Sequence, residues 1–311
     1  MNIQQFQYVL AVVDLKNFEA AAEKCFVTQS TLSTMIRRFE DEIGIKIFNR
    51  KTKPVSITSE GKQIIDRLRI ILNEIDSLKN LTQELKGEML GELSIGIIPT
   101  IAPYLLPLFL TDFASLFPKV KIIVKEMTTS NIKKSIKNRT LDIGILALPL
   151  EDNSLNEINL YSEPFLLYDC SGEIANSKVS VNNLDYSKLC LLQEGHCLRT
   201  QVQRICDLSS QVLKSNINFE FESGSMDSLL RVTETRKGMT ILPLLAAIDL
   251  PEKHQKRLVE FKFPVPARNV GLVTNKFFVK KKLLRELKKV ILKATSKHLP
   301  VSGEFTVLKP L

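Results

Sequence analysis

Nowhere in these 311 residues does an apolar run approach the roughly 20 residues that cross a bilayer. The best stretch, Ile101–Leu110, is short and broken by Pro103 and Pro107. The opening Met1-Asn2-Ile3-Gln4-Gln5-Phe6 lacks the basic start and apolar stretch of a secretory signal, so a cytoplasmic protein with no membrane partner is expected. Cysteine is scarce and odd in number: five residues, at 25, 170, 190, 197 and 206, with no Cys-x-x-Cys pair. That excludes a secreted disulfide framework and a zinc finger. Histidine occurs only at 196, 254 and 298, too few for a metal site built from several imidazoles. No metal and no cofactor is expected. In a reducing cytosol the thiols are free by default, and a disulfide among them would be a redox event rather than a structural staple.

The net charge is +9, unevenly placed. Residues 1–88 hold 13 Lys and Arg against 12 Asp and Glu, whereas residues 251–311 hold 15 against 4. Much of the excess lies in 276–297, which reads as an amphipathic helix around Leu283, Leu284, Leu287, Val290 and Ile291. Charge runs of this kind are usually solvated helix faces, so net charge alone does not identify a nucleic-acid binder.

What is present is strong periodicity. Ile3, Phe6, Val9, Leu10 and Val13 recur at three- and four-residue spacing and predict a helix over 3–13. An alanine-rich helix follows over 18–25, and a third over 29–43 buries Leu32, Met35, Ile36 and Phe39 before Gly44 stops it. Gln29, Ser30, Thr31, Ser33, Thr34 and Arg37 are left on its outer face. Residues 47–58 read as two short strands around the basic turn Arg50-Lys51-Thr52-Lys53, a β-wing. From Ser59 a long helix runs to about Gly87. Its Ile64, Leu68, Ile71, Ile75, Leu78 and Leu85 keep a 4-3-4-3 seam broken only at Thr82, which predicts pairing with a second copy rather than burial in the chain's own core.

Beyond Gly91 strands and helices alternate. Strands are predicted at 93–98, 120–126 and 141–147, with helices at 103–117 and 130–138 between them, which implies a parallel sheet. A second set has strands at 165–170, 188–192, 219–221 and 238–243 and helices near 199–214 and at 225–236. Strand 269–274 and helix 278–297 bring the chain back to the first lobe. The expected domains are 1–58, a linker helix 59–90, and a two-lobed α/β part 91–311, with lobe I formed by 91–163 and 268–311 and lobe II by 164–267.

Short polar side chains with Gln and Arg on one helix face suit the major groove, and a basic turn suits phosphate. A helical hairpin with a polar face for protein contact satisfies the same spacing. The run Phe18-x-Ala-Ala-Ala-Glu-x-x-x-Val-Thr-Gln-Ser-Thr-Leu-Ser-x-x-Ile-Arg-Arg-Phe-Glu-Asp-Glu-Ile-Gly, followed by Phe48-x-Arg50 and Thr58-x-x-Gly61, resembles the winged helix-turn-helix of LysR-type transcriptional regulators. Length, linker helix and two-lobed remainder resemble that family over essentially the whole chain. The resemblance implies a non-enzymatic regulator binding double-stranded DNA through Gln29, Ser30, Thr31, Ser33, Thr34, Arg37, Arg50 and Lys53. It also implies a homodimer or homotetramer, an effector part like a periplasmic solute-binding protein, and RNA polymerase as a partner.

A narrower resemblance is to the peroxide-sensing members of that family. It is carried by Ile95-Gly96-Ile97-Ile98-Pro99-Thr100-Ile101-Ala102-Pro103-Tyr104-Leu105-Leu106-Pro107 and by Glu194-Gly195-His196-Cys197-Leu198-Arg199-x-Gln201, with Cys206 nine residues after Cys197. It implies that Cys197 attacks hydrogen peroxide and Cys206 resolves the product as a disulfide. Thr100, Thr129, His196 and Arg268 would line the pocket, and a glutaredoxin- or thioredoxin-type thiol reductant would reset it. From the residues alone, His196 and Arg199 beside Cys197 can favour the thiolate, whereas Cys25, Cys170 and Cys190 read as buried and inert. Two alternatives stand beside this reading. One is a regulator sensing a small anion between the lobes; the other is a solute-binding protein.

Overall fold

A computed structural model describes residues 1–85, 89–172, 174, 178–192, 197–205, 225–300 and 305–310. The chain forms two compact units, 1–88 with 138–140, and 89–137 with 141–311.

In the first unit each early helix begins on a side-chain cap. In α1 (Ile3–Leu15), the Asn2 carboxamide accepts the Gln5 N–H while the Gln5 side chain accepts the Asn2 N–H, each at 2.9 Å. Asn17 caps α2 (Phe18–Lys24) and Thr28 caps α3 (Gln29–Ile43), which ends at Gly44 with φ 70°. Phe6, Val9, Ala21, Leu32, Ile36 and Phe39 close the core; Met35 is only half-buried. Strands β1 (Phe48–Asn49) and β2 (Ser56–Ile57) pair antiparallel as the predicted wing.

The linker helix α4 (Ser59–Leu85) starts tightly against that wing. A Cβ at Gly61 would lie 2.6 Å from the Ile47 carbonyl oxygen. Here the predicted seam divides. Ile65 and Leu68 are buried in the unit's own core, with Ile64 packed partly against it. Ile71, Leu78 and Leu85 are exposed and Ile75 is half-buried. The first turns of the helix are therefore consumed by the chain's own core, because the heptad period also matches the groove beside α1. Only the stretch from Ile71 onward presents an open apolar seam.

The second unit is one nine-stranded sheet system in the order β4-β3-β5-β10-β6-β9-β7, with β11 on β10 and β8 on β6. The chain lays down β3 (Gly91–Ile97), α5 (Ala102–Leu116), β4 (Val120–Glu126), α6 (Thr129–Lys137) and β5 (Ile143–Leu148). As predicted, β3 runs parallel to β4 and β5. It then crosses over on β6 (Leu155–Asp169) and builds β7 (Lys178–Val179), α7 (Cys197–Ile205), α8 (Met226–Thr235) and β8 (Met239–Pro243). After α9 (Leu244–Ile248), α10 (Glu252–Gln255) and β9 (Leu258–Phe261), it returns on β10 (Val265–Asn275), and finishes with α11 (Lys281–Thr295) and β11 (Phe305–Val307).

An all-parallel sheet is not what forms. β10 is antiparallel to both β5 and β6, because the outgoing and returning crossings necessarily run in opposite directions. Both are longer than the sequence predicts. Residues 155–164 interleave Asn156, Glu157 and Asn159 with apolar residues, so no continuous apolar run marks them. The predicted strand 188–192 is reduced to bridges such as Leu189 with Met239. The predicted strand 219–221 and the predicted helix beyond 205 lie outside the described residues. β7, β9 and β11 are short strands the sequence did not signal.

Where β6 and β10 pair, the register slips between Val270 and Gly271. A Cβ at Gly271 would sit 2.2 Å from Leu148 Cδ1 and 2.6 Å from the Ile158 carbonyl oxygen. The backbone oxygen cannot move aside as a side chain could. Gly271→Ala is expected to cost about 1–3 kcal/mol, measured as an earlier denaturant midpoint with an unchanged slope.

Candidate functional site

Two surfaces gather the residues singled out by sequence. On α3, Gln29, Ser30, Thr31, Thr34 and Arg37 are exposed along one face, and Ser33 is half-buried. The Thr28 hydroxyl, which caps the helix, also hydrogen-bonds the hydroxyls of Ser30 (3.0 Å) and Thr31 (2.8 Å), setting their rotamers. Lys53 is exposed at the wing tip.

Arg50 is placed differently. Its Nη1 donates to Ser33 Oγ at 2.8 Å, its Nη2 pairs with Glu40 Oε2 at 3.1 Å, and its guanidinium stacks over Phe18, 4.9 Å from the ring centroid. Glu40 is almost fully buried and also accepts the Ile47 and Phe48 N–H groups at 2.7 and 3.2 Å. In this arrangement Arg50 fastens the wing to α3, so the sequence reading of a free phosphate-seeking arm describes Lys53 better. Glu40 was missed by sequence reasoning. The signal available was a carboxylate on the buried face of α3, which must find partners.

The second surface is a thiol site assembled from four elements. Thr100 lies in the turn after β3, Thr129 opens α6, Arg268 sits in mid β10, and Cys197 is the first residue of α7. All four are buried. Arg268, 1% exposed, donates through Nε to Glu163 Oε2 at 2.8 Å, and its Nη2 lies 2.8 Å from the same oxygen. Its Nη1 and Nη2 donate to the Thr100 hydroxyl (3.2 Å) and carbonyl (3.1 Å). Glu163 faces Arg268 across the β6–β10 ladder, and its Oε1 accepts the Leu245 N–H at 2.8 Å, at the start of α9.

Burial pushes the Cys197 thiol above its usual pKa. The positive charge of Arg268 opposes this, followed by hydrogen bonds from the Thr129 hydroxyl and the Leu198 and Cys197 N–H groups. Burial thus works against ionisation of the sulfur, while the groups around it favour its charged form. Arg199, which the sequence suggested as the supporting charge, instead donates to the Leu192 carbonyl at 2.8 Å. That role falls to Arg268, which is distant in sequence. His196 and Cys206 lie outside the described residues.

α7 is held from both ends of the unit. Cys197 belongs to the core containing Leu93, Ile145 and Val270, while Leu198, Val202 and Ile205 belong to the core containing Phe165, Met239 and Phe261. Fully buried Gln201 donates to the Leu308 carbonyl at 3.0 Å, and Arg204 donates to the Lys309 carbonyl at 3.0 Å. Those carbonyls just follow β11, which pairs parallel with β10 immediately before Arg268. The Gln201 Oε1 and the Tyr161 hydroxyl are buried without hydrogen-bond partners among the described residues. Of the remaining thiols, Cys190 is buried as expected. Cys25 and Cys170 are only half-buried, and Cys170 accepts a hydrogen bond from Arg257 at 3.3 Å. Among the described residues no cluster of three His, Cys, Asp or Glu is placed to hold a metal ion.

Comparison with known proteins bears on both surfaces. Residues 3–62 match the bacterial regulatory helix-turn-helix of the LysR family, and residues 86–296 match the LysR substrate binding domain. The chain is 33% identical over 277 residues to the DNA-binding transcriptional dual regulator OxyR of Escherichia coli, covering 88% of this chain and 89% of that protein. It is 31% identical over 275 residues to a hydrogen peroxide-inducible genes activator of Haemophilus influenzae, covering 88% and 90%. A full-length OxyR variant from Pseudomonas aeruginosa superimposes with a TM-score of 0.74 at 26% identity, covering 94% of this chain and 98% of that one.

The thiol geometry has a measurable consequence. Thr129→Val removes one hydroxyl donor from the sulfur at nearly constant volume, and it should move half-maximal alkylation of Cys197 to higher pH. Arg268→Met should move it further and also strand buried Glu163, at a stability cost of about 3–5 kcal/mol. Because the folded thiol ionises above the unfolded one, its contribution to stability is complete below the usual thiol range and is lost as pH rises from that range through the raised folded value. Peptide mass spectrometry of native protein alkylated across a pH series reads the shift; an unchanged midpoint in Thr129→Val would exclude the contact.

Proposed function

The chain belongs to the LysR family of bacterial regulatory helix-turn-helix proteins, and on that premise we propose that it is a transcription regulator of the OxyR type that senses hydrogen peroxide through Cys197. The observation that carries this reading is a buried cysteine at the first residue of α7, whose charged form is favoured by Arg268, Thr129 and the first N–H groups of the helix. Relatives named as OxyR and as hydrogen peroxide-inducible activators support it.

In this reading residues 1–58 bind operator DNA, 59–90 pair two copies, and 91–311 sense the oxidant. Gln29, Ser30, Thr31, Ser33, Thr34 and Arg37 enter the major groove, and Lys53 meets phosphate. Arg50 serves DNA binding by holding the wing. Ile71, Ile75, Leu78 and Leu85 form the dimer seam, Ile64 and Leu68 being occupied within one chain. RNA polymerase is the downstream partner, and the protein acts in the cytoplasm.

The chemistry balances. The Cys197 thiolate attacks one peroxide oxygen, the O–O bond breaks, and the departing hydroxide leaves as water after taking a proton, giving a sulfenic acid. Thr100, Thr129, His196 and Arg268 orient the peroxide and neutralise the developing charge. The Cys206 thiol then displaces water to give a disulfide, and a glutaredoxin- or thioredoxin-type dithiol returns both sulfurs to thiols while itself becoming a disulfide.

The helix between the two thiols makes this a switch. From Cys197 to Ile205 α7 rises roughly 12 Å, and the one further peptide to Cys206 adds about 3.8 Å of reach. Disulfide formation needs Cα atoms within about 7 Å, so the bond requires α7 to unwind.

Cys197→Ser should abolish the peroxide response. Cys206→Ser should leave a sulfenic acid that is not resolved, and replacement of Cys25, Cys170 and Cys190 together should change nothing. Tryptic mapping after dilute peroxide, run beside a DNA footprint, decides the matter. If the 197 and 206 peptides stay unlinked and the footprint does not move, peroxide sensing is wrong and an anion ligand of Arg268 takes its place.

Ile71→Asp should split the dimer, since pairing would bury an unpaired charge. Light scattering at micromolar concentration reads the mass; wild-type protein running as a monomer would remove the seam assignment.

A further inference from the structure

The face of α11 turned away from the core carries charge that works against the helix itself. Leu283, Leu287, Ile291 and Thr295 are buried. Outward stand Lys281, Arg285, Lys289 and Lys293, each four residues from the next, and Lys297 continues the row; all five are exposed. Like charges at this spacing sit one above another and destabilise the helix. The first turn holds lysines, no acidic residue and no side-chain N-cap, so cations occupy the positive end of the helix dipole. One carboxylate, Glu286, serves Arg285 (3.5 Å) and Lys289 (2.9 Å). Among the described residues, none pairs with Lys281, Lys293 or Lys297.

Residues 276–297 hold nine basic residues and one acidic, close to the net charge of the whole chain, +9. An ordinary solvated face would alternate signs. This one is self-repelling along roughly 18 Å of helix from Lys281 to Lys293, and a polyanion laid along it would remove the repulsion.

We infer that the outward face of α11 is a second DNA-contacting surface, engaging the sugar-phosphate backbone without reading bases. The occupant is double-stranded DNA because the chain already holds DNA through its family's helix-turn-helix, which keeps phosphates at high local concentration. A row of cations on a rigid helix is complementary to a duplex carrying one charge per ~1.7 Å of axis. The inference rests on the DNA-binding reading above and extends the contact surface beyond α3 and the wing.

The test uses full-length protein carrying Lys281→Gln, Arg285→Gln, Lys289→Gln and Lys293→Gln together. All four side chains are exposed, and removing repulsion should leave the fold intact or slightly more stable. Binding to a long random-sequence duplex is followed by fluorescence anisotropy across a sodium chloride series. The expected result is a log–log salt slope shallower than wild type by about 0.9 for each phosphate no longer neutralised, up to about 3.6 for four. Arg37→Ala should weaken binding to a footprinted operator fragment while leaving most of that slope in place. Equal slopes for wild type and the four-site variant overturn the inference while leaving the helix-turn-helix reading intact. A wild type with no affinity for any duplex would instead overturn the DNA-binding reading itself. If DNA binding is unchanged and only transcription with purified RNA polymerase falls, the face meets an acidic protein surface and the inference is again overturned.

Discussion

The ion pair between Arg268 and Glu163 is the constraint around which the second unit is organised. Both side chains are almost wholly removed from water, a state that is tolerable only when every charge is matched by hydrogen bonds. Here the matching partners come from separate elements. Arg268 joins β10 to β6 through Glu163 and to the turn after β3 through Thr100, and Glu163 passes the connection to the start of α9. β6 and β10 are the strands on which the chain leaves one lobe and re-enters it, so the pair pins the crossing itself. The positive charge left over after Glu163 is satisfied falls on Cys197. One guanidinium thus serves both the packing of the crossing strands and the electrostatics of the sulfur.

Much of this was legible in the sequence wherever local rules act. Gly44 ends α3 as expected, and the wing follows from a basic turn between short apolar segments. The linker helix ran to the expected length because a seven-residue apolar period is a strong signal. What that period could not say is which partner each position meets; Leu68 goes inward and Leu78 outward on the same seam. Arg50 shows the same limit, since an arginine in a basic turn looks solvent-seeking until Glu40 is known to be buried beside it.

The thiol site divides in a similar way. Thr100, Thr129, Arg268 and Cys197 come from four separate elements, and no spacing among residues 100, 129, 197 and 268 would have grouped them. Glu163 went unnoticed because interleaved polar residues obscure its strand, and Gln201, quoted only as part of a motif, had no role to read because its partner is a backbone carbonyl more than a hundred residues away. The charge on the sulfur was assigned to Arg199 by proximity in the chain. Proximity in space belongs to Arg268, which reaches the site only because β10 returns antiparallel through the middle of the sheet. The antiparallel return is a property of topology, which composition does not encode.

The order in which the chain emerges from a ribosome gives this arrangement a further meaning. Thr100 and Thr129 are made first and Cys197 later, but Arg268 comes some seventy residues after the cysteine, and the carbonyls that hold Gln201 and Arg204 lie at 308 and 309. During synthesis the sulfur therefore exists for a time without its guanidinium, without the strand that positions it, and without the backbone that clamps its helix. A nascent chain can hold a folded helix-turn-helix, built entirely from early residues, well before it holds a finished thiol pocket. The unit that carries the family's helix-turn-helix is thus complete in the chain before the last residues around Cys197 have been made.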